Sequence, residues 1–152
     1  MAHARQTLRK AIVAAVTGLA TTAARVSSRQ LHTRQAADLP ALIVDVAAGA
    51  GESVSGAFAD EFGTAHVRRL SVTITAMVSA LANYEDTLDT ICLEVETALW
   101  AAAGVAALVV GFGLESTVIE VSGEGDRPVA VATMVWSFSY AVNETAPEAS
   151  IT

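Results

Sequence analysis

Residues 129–142 read VAVATMVWSFSYAV, and the two faces of this run decide the architecture. In an extended chain successive side chains point to opposite sides, so Met134, Trp136, Phe138 and Tyr140 share one face, while Val129, Val131 and Val135 share the other. Apolar residues on both faces describe a strand covered twice, by helices on one side and by something else on the other. The run closes a β-hairpin in which residues 114–122 are the partner strand and residues 123–128, GEGDRP, are the turn.

Upstream, Leu70, Val72, Ile74, Ala76 and Val78 alternate with Ser71, Thr73 and Thr75, which predicts a long strand with one buried face. Residues 41–46 form a short apolar strand entered through Pro40, which offers no ladder donor and belongs at the strand start. Residues 25–33 alternate without a strongly apolar face and predict an edge or interface strand. Two helices accompany these strands. The first spans residues 4–19, with Leu8, Ile12, Ala15, Val16 and Leu19 as its stripe and Gly18 near its end. The second is capped by Asn83, carries Glu85 and Asp86 in its first turn, and turns Leu88, Ile91, Cys92, Val95 and Leu99 inward and Asp89, Glu94 and Glu96 outward; Gly104 is its expected stop. Residues 47–64 hold Gly49, Gly51, Gly56, Gly63 and three acids without a sustained period, and are expected to be a long connection.

The expected fold is therefore α+β: a mixed sheet of about five strands with two helices packed on one face, in the order αβββαββ. Residues 1–142 make a single domain and residues 143–152, polar and interrupted by Pro147, a loosely ordered tail. Two helices cannot cover both faces of five strands, so the second face is left to solvent or to a neighbouring subunit.

Bulk properties agree with a partner surface. The chain has 152 residues and is 53% apolar but only 5% aromatic, so small side chains supply much of its core and each buries little area. Cys92 is the single cysteine and reads as a buried core thiol. The basic start leads into an amphipathic pattern rather than an apolar block, so no secretory signal is expected. Residues 97–114 carry no charge, yet Gly104, Gly111, Gly113 and the flanking Glu96 and Glu115 fit a helix end followed by a buried strand better than a membrane span.

Charge is distributed unevenly. Arg5, Arg9, Lys10, Arg25, Arg29 and Arg34 are the only charges in the first 34 residues, whereas the remainder sets sixteen acids against Arg68, Arg69 and Arg127, for a net charge of −7 overall. Opposite fields on one body favour head-to-tail self-association, and they are equally satisfied if the basic stretch packs beside the acidic one within a molecule.

Residues for catalysis are missing from the sequence. His3, His32 and His66 have no carboxylate or cysteine at metal-ligand spacing, Gly123-x-Gly125 lacks the third glycine and helix of a phosphate loop, and residues 51–56 are one residue too long for a nucleophile elbow. The expectation is a non-enzyme without cofactor or metal. Arg25, Arg29, Arg34, Arg68 and Arg69 would form a basic stripe across neighbouring strands, but no aromatic residue interleaves with them and the net charge opposes a polyanion. An acidic protein surface fits them better.

The segment Ala37-Asp38-Leu39-Pro40-Ala41-Leu42-Ile43-Val44 follows a basic N-terminal helix. Together with the helix segment Leu88-Asp89-Thr90-Ile91-Cys92-Leu93-Glu94-Val95-Glu96 and the closing strand Ala132-Thr133-Met134-Val135-Trp136-Ser137-Phe138-Ser139-Tyr140, it resembles the tail terminator family of long-tailed bacteriophages and gene transfer agents. The order of the pieces, over residues 5–140, carries the likeness. The resemblance implies a virion protein, assembled in the host cytoplasm, that forms a hexameric ring on the head-proximal end of the tail tube, halts tube polymerisation and meets a head-completion protein. It implies no enzyme activity, cofactor, metal, membrane contact or sequence-specific nucleic-acid binding, although DNA would pass through the ring lumen. The candidate subunit interface sets Arg25, Arg29, Arg34, Arg68 and Arg69 of one copy against Asp60, Glu61 and Glu120 of the next. The alternatives are another neck or tail-completion protein, and a small cellular α+β module whose Gly-rich loop at residues 47–64 closes on a ligand.

Overall fold

Two long antiparallel strands, β4 (Gly63–Ser79) and β6 (Val129–Asn143), form the centre of the computed structural model, which describes residues 2–28, 38–46, 51–60, 63–122 and 128–151. Their register sets Leu70 opposite Phe138, Val72 opposite Trp136, Ile74 opposite Met134 and Ala76 opposite Ala132. Residues opposite one another share a face, so the two alternations merge into one apolar surface. All eight of these side chains are buried.

Around this pair the remaining strands complete a seven-stranded mixed sheet in the order β1-β2-β4-β6-β5. β1 (Val26–Ser28) runs parallel to β2 (Ala41–Asp45), and every other pairing is antiparallel. β3 (Glu52–Asp60) continues the β2 side of β4, because β2 takes residues 73–77 and β3 takes residues 63–70. In the same way β5 (Gly111–Ser122) and β7 (Ala146–Ile151) share one side of β6.

Helices α1 (Ala4–Val16) and α2 (Tyr84–Ala101) lie against the apolar surface. α1 buries Ala4, Leu8, Ile12 and Val16, and α2 buries Leu88, Ile91, Cys92, Val95 and Leu99; the short α3 (Ala103–Ala106) adds Val105. The α+β class, the mixed sheet and the helix layer on one face match the sequence pattern.

Several details differ, each for a physical reason. Two additional strands account for most of the difference from αβββαββ. β3 and the first part of β4 form a hairpin where a structureless connection was expected, because β3 is solvent-exposed over most of its length and needs no apolar period. Most of the expected tail is strand β7, with Pro147 tolerated at a sheet edge where a donor is dispensable. Of the strand expected at 25–33, Val26–Ser28 is strand β1, and residues 29–33 lie outside the described residues. Asn83 sits in the left-handed region at φ 50° and makes no side-chain capping bond to α2. α2 ends at Ala101, and Gly104 lies inside α3 rather than stopping the longer helix. Glu94, expected to face outward, accepts bonds from the Thr21 backbone N–H at 3.1 Å and the Thr21 hydroxyl at 2.8 Å. It thereby ties α2 to the turn after α1. The buried strand expected at the end of residues 97–114 begins only at Gly111 and is half-buried at residues 112–114, because it is the start of the edge strand β5. No described helix is long and apolar enough to cross a membrane.

Cys92 is 8% exposed. Burial, followed by the nearby carboxylates of Asp89 and Glu96, pushes its thiol above the ordinary value of 9.0. A raised pKa leaves less of the reactive thiolate and burial restricts access to it, so the native chain should alkylate more slowly than the urea-unfolded chain at neutral pH. The folded state holds the proton more tightly than the unfolded state, so stability falls as pH climbs beyond 9.0. Iodoacetamide labelling with and without urea, and urea midpoints above and below that pH, check both statements.

Candidate assembly surfaces

β5 is twelve residues long and, among the described strands, pairs only with β6. Its outer row of backbone donors and acceptors is free for another strand. Natural edges are blunted by lysine, proline or inward charge, whereas this one exposes Val118 (50%), Ile119 (44%) and Val121 (53%). Opposite-residue pairing puts Val118 and Glu120 on the helix-free face with Thr133 and Val131, and Ile119 and Val121 on the helix face with Ala132 and Ala130. A bulge between Leu114 and Ser116 interrupts the ladder at Glu115.

The helix-free face is built from small and polar residues. Along β4 it presents Arg69, Ser71, Thr73 and Thr75, and along β6 Ser139, Ser137, Val135 and Thr133. Arg69 donates from Nε to the Ser137 hydroxyl at 2.6 Å and from Nη2 to Glu115. This pair sits in an open trough of about 410 Å³ bordered by Ser55 and Ser139, and Ser55 and Glu115 both stand at strand bulges.

At the start of α1 a polar cluster joins four elements, α1, β3, β4 and β6. Glu52 on β3, 14% exposed, faces Arg5 Nη1 at 3.2 Å and Arg68 Nη1 at 3.8 Å, and accepts from the Tyr140 hydroxyl. His3 caps α1 through Nδ1, which accepts from the Arg5 backbone N–H at 3.2 Å. Its Nε2 lies 3.2 Å from Arg68 Nη1. A neutral imidazole carries one proton, so with Nδ1 accepting, Nε2–H approaches the guanidinium as a second donor rather than a partner.

Arg25 is held within its own subunit. Its Nε donates to the Pro40 carbonyl at 2.7 Å and its Nη2 to the Thr21 carbonyl at 3.1 Å, joining the turn after α1 to the cis Leu39–Pro40 peptide before β2. Arg68 and Arg69, as strand neighbours, point to opposite faces, the first into the Glu52 cluster and the second into the trough. Glu120 lies on β5, at the far end of the sheet from β1. The described members of the expected basic stripe, Arg25, Arg68 and Arg69, are thus separated rather than gathered. Arg29, Arg34, Glu61 and the Asp60 side chain lie outside what the structure describes. Among the described residues no group of three histidine, cysteine or acidic side chains is placed to hold a metal ion.

Sequence reading missed Glu52, Tyr140 and the apolar edge of β5 as contact-forming groups. A carboxylate inside an otherwise polar Gly-Ser stretch was the available signal for Glu52. Comparison with known proteins gives no match: no family model fits the chain, and no curated protein matches it significantly.

Proposed function

We propose that this chain is a tail terminator of a long-tailed bacteriophage or gene transfer agent, a structural subunit of the virion that closes into a hexameric ring on the head-proximal end of the tail tube. The resemblance in residues 37–44, 88–96 and 132–140 supplies the family. The observation that carries the assembly is the outer edge of β5, which beyond its bulge at Glu115 is unpaired among the described strands and exposes Val118, Ile119 and Val121. β1 and β5 are the two ends of one strand path, so pairing β5 of one copy with the β1 side of the next is a heterologous contact that closes a ring when the rotation fits. The chain around β1 is basic in sequence and β5 carries Glu120 as well as Glu115, the latter already bound to Arg69 of its own subunit, so charge contributes to register and encounter rate while strand pairing and apolar burial supply affinity. A ring that matches the tube on one face and offers a different opposite face leaves no seat for another tube ring. Tube growth stops, and the free face receives the head-completion protein. The reading contains no catalytic step and no cofactor.

Charge reversal at Arg25 would break its two backbone bonds and so confuse folding with assembly. Val118→Lys/Val121→Lys is cleaner, because both side chains are about half exposed in the subunit. At each contact it removes roughly 1 kcal/mol per half-buried valine and adds two unpaired ammonium groups. The expected outcome is a monomeric mass by light scattering and particles with overlong tails. Rings of unchanged mass and tails of normal length would reject the proposal, and headless tails of normal length would assign the chain to another neck position.

A further inference from the structure

The first two turns of α1 border a recess away from the β5 edge. It is open, about 260 Å³ in volume, and lined by His3, Arg5, Gln6 and Arg9 together with Val46 from just beyond β2. His3 and Arg5 also belong to the polar cluster that contains Arg68 and Glu52. Three guanidinium groups therefore gather around one carboxylate, a net charge of +2 with the imidazole uncharged, in a chain whose total is −7. Glu52 is fully committed, since Oε2 meets Arg5 at 3.2 Å while Oε1 accepts from Tyr140 and faces Arg68 at 3.8 Å. Asp45, the acid nearest Val46 in sequence, stands opposite Thr73 on the other face of the sheet. Donors thus outnumber acceptors. Among the described residues Arg9 has no acid within ion-pair distance and Arg68 Nε has no hydrogen-bond partner. His3 Nε2 and Arg68 Nη1 stand 3.2 Å apart, and with Nδ1 of the same ring accepting from the Arg5 backbone, two N–H donors are left facing each other. The surplus lies in side chains and not in the helix end, because the Gln6 and Thr7 N–H groups are bonded to the His3 carbonyl at 2.8 and 3.2 Å.

We propose that this recess binds a phosphate dianion, free or as the terminal group of a small phosphate monoester, through Arg5, Arg9 and His3. A guanidinium fork matches two phosphate oxygens with paired hydrogen bonds, and an anion seated there gives His3 Nε2–H the acceptor it lacks. Charge selects the class of ligand. A phosphate monoester carries close to two charges at neutral pH and balances the cluster, whereas a carboxylate or a phosphodiester, with one charge, balances only half of it. The recess is open and Arg5 is half exposed, so the affinity is modest and weakened by salt. The site uses no part of the β5 edge and does not depend on the terminator reading.

The test follows amide NMR signals of the full-length chain during titration with sodium phosphate, at an ionic strength held constant with chloride. Saturable shifts at His3, Arg5 and Arg9 are expected, with half-saturation on the order of millimolar. Arg9→Gln removes one charge-assisted contact without touching the Glu52 cluster and should raise the half-saturation concentration roughly tenfold. Lys10→Gln removes the same charge from the same helix outside the recess and should change it by less than about twofold. Arg9→Lys, which keeps the charge but loses the fork, should fall between them. Native circular dichroism is checked for each variant, and the two conservative changes at Arg9 serve as replacements for one another. Glycerol phosphate that binds as well as inorganic phosphate assigns a monoester, and binding by inorganic phosphate alone assigns the free ion. Shifts that grow without saturating, equal weakening by Arg9→Gln and Lys10→Gln, or acetate or a dinucleotide binding as tightly as phosphate would overturn the proposal.

Discussion

Trp136→Ala is expected to lower unfolding stability by about 3–5 kcal/mol, which is a large share of the roughly 5–15 kcal/mol typical of a domain. Trp136 is fully buried and stands opposite Val72 on β4 and Leu114 on β5, so it bridges three strands beneath α2. Its ring is 6.1 Å from Trp100, 6.3 Å from Phe112 and 6.4 Å from Phe138, centroid to centroid. The surrounding rings are held in place by their own strands and helix and by stacking on one another, Trp100 on Phe112 and Phe112 on Phe138, so they collapse only in part and the cost of the remaining cavity is added to the lost transfer energy. One term acts the other way: Trp136 Nε1 has no hydrogen-bond partner among the described residues, so truncation removes a desolvation cost of about 1–3 kcal/mol. The net loss then sits toward the lower part of the range. Urea unfolding should show a reduced midpoint with an unchanged slope, and a loss below about 1 kcal/mol would mean that the aromatic cluster is not the anchor of the sheet.

What the sequence disclosed follows from where burial writes a period. Leu70 to Val78, Met134 to Tyr140 and the stripes at Leu8, Ile12 and Val16 and at Leu88, Ile91, Val95 and Leu99 each bury one face, and all four elements were legible. β3 and β7 were not, because edge strands with small or polar exposed residues are fixed by backbone pairing, which leaves no mark in side-chain hydropathy. Charges mislead for a related reason. The spacing of Arg25 states its sign but not that two backbone carbonyls, Thr21 and Pro40, converge on its guanidinium. Glu94 likewise falls on the polar side of a helical wheel and is nevertheless satisfied by a turn 73 residues away in sequence. The hairpin of β5 and β6 was visible in sequence, whereas the exposure of Val118, Ile119 and Val121 depends on no further described strand or helix reaching that edge.

Glu52→Ala should cost about 2–3 kcal/mol and loosen one end of the molecule before the rest unfolds. The carboxylate is 14% exposed and receives Arg68, which is 22% exposed, together with the Tyr140 hydroxyl from a side chain that is itself buried. Removing it leaves a partly buried guanidinium and a phenol without their acceptor, and Arg68 Nε is already without one. Breaking a fully buried pair costs about 3–5 kcal/mol, and the residual exposure of both partners brings that figure down. The Arg5 contact adds little, since that side chain is half exposed. Loss should be local because Glu52 is the first residue of β3, and pairing of β3 with β4 is what holds residues 52–60 to the sheet. Hydrogen exchange in β3 and in the first turn of α1 should accelerate while β4 residues 72–78 and β6 residues 130–138 keep their protection. Glu52→Gln keeps an acceptor for Tyr140 and should recover roughly half of the stability. Equal acceleration throughout the sheet would show instead that the cluster supports the global fold, and no change would show that water replaces the carboxylate at no cost.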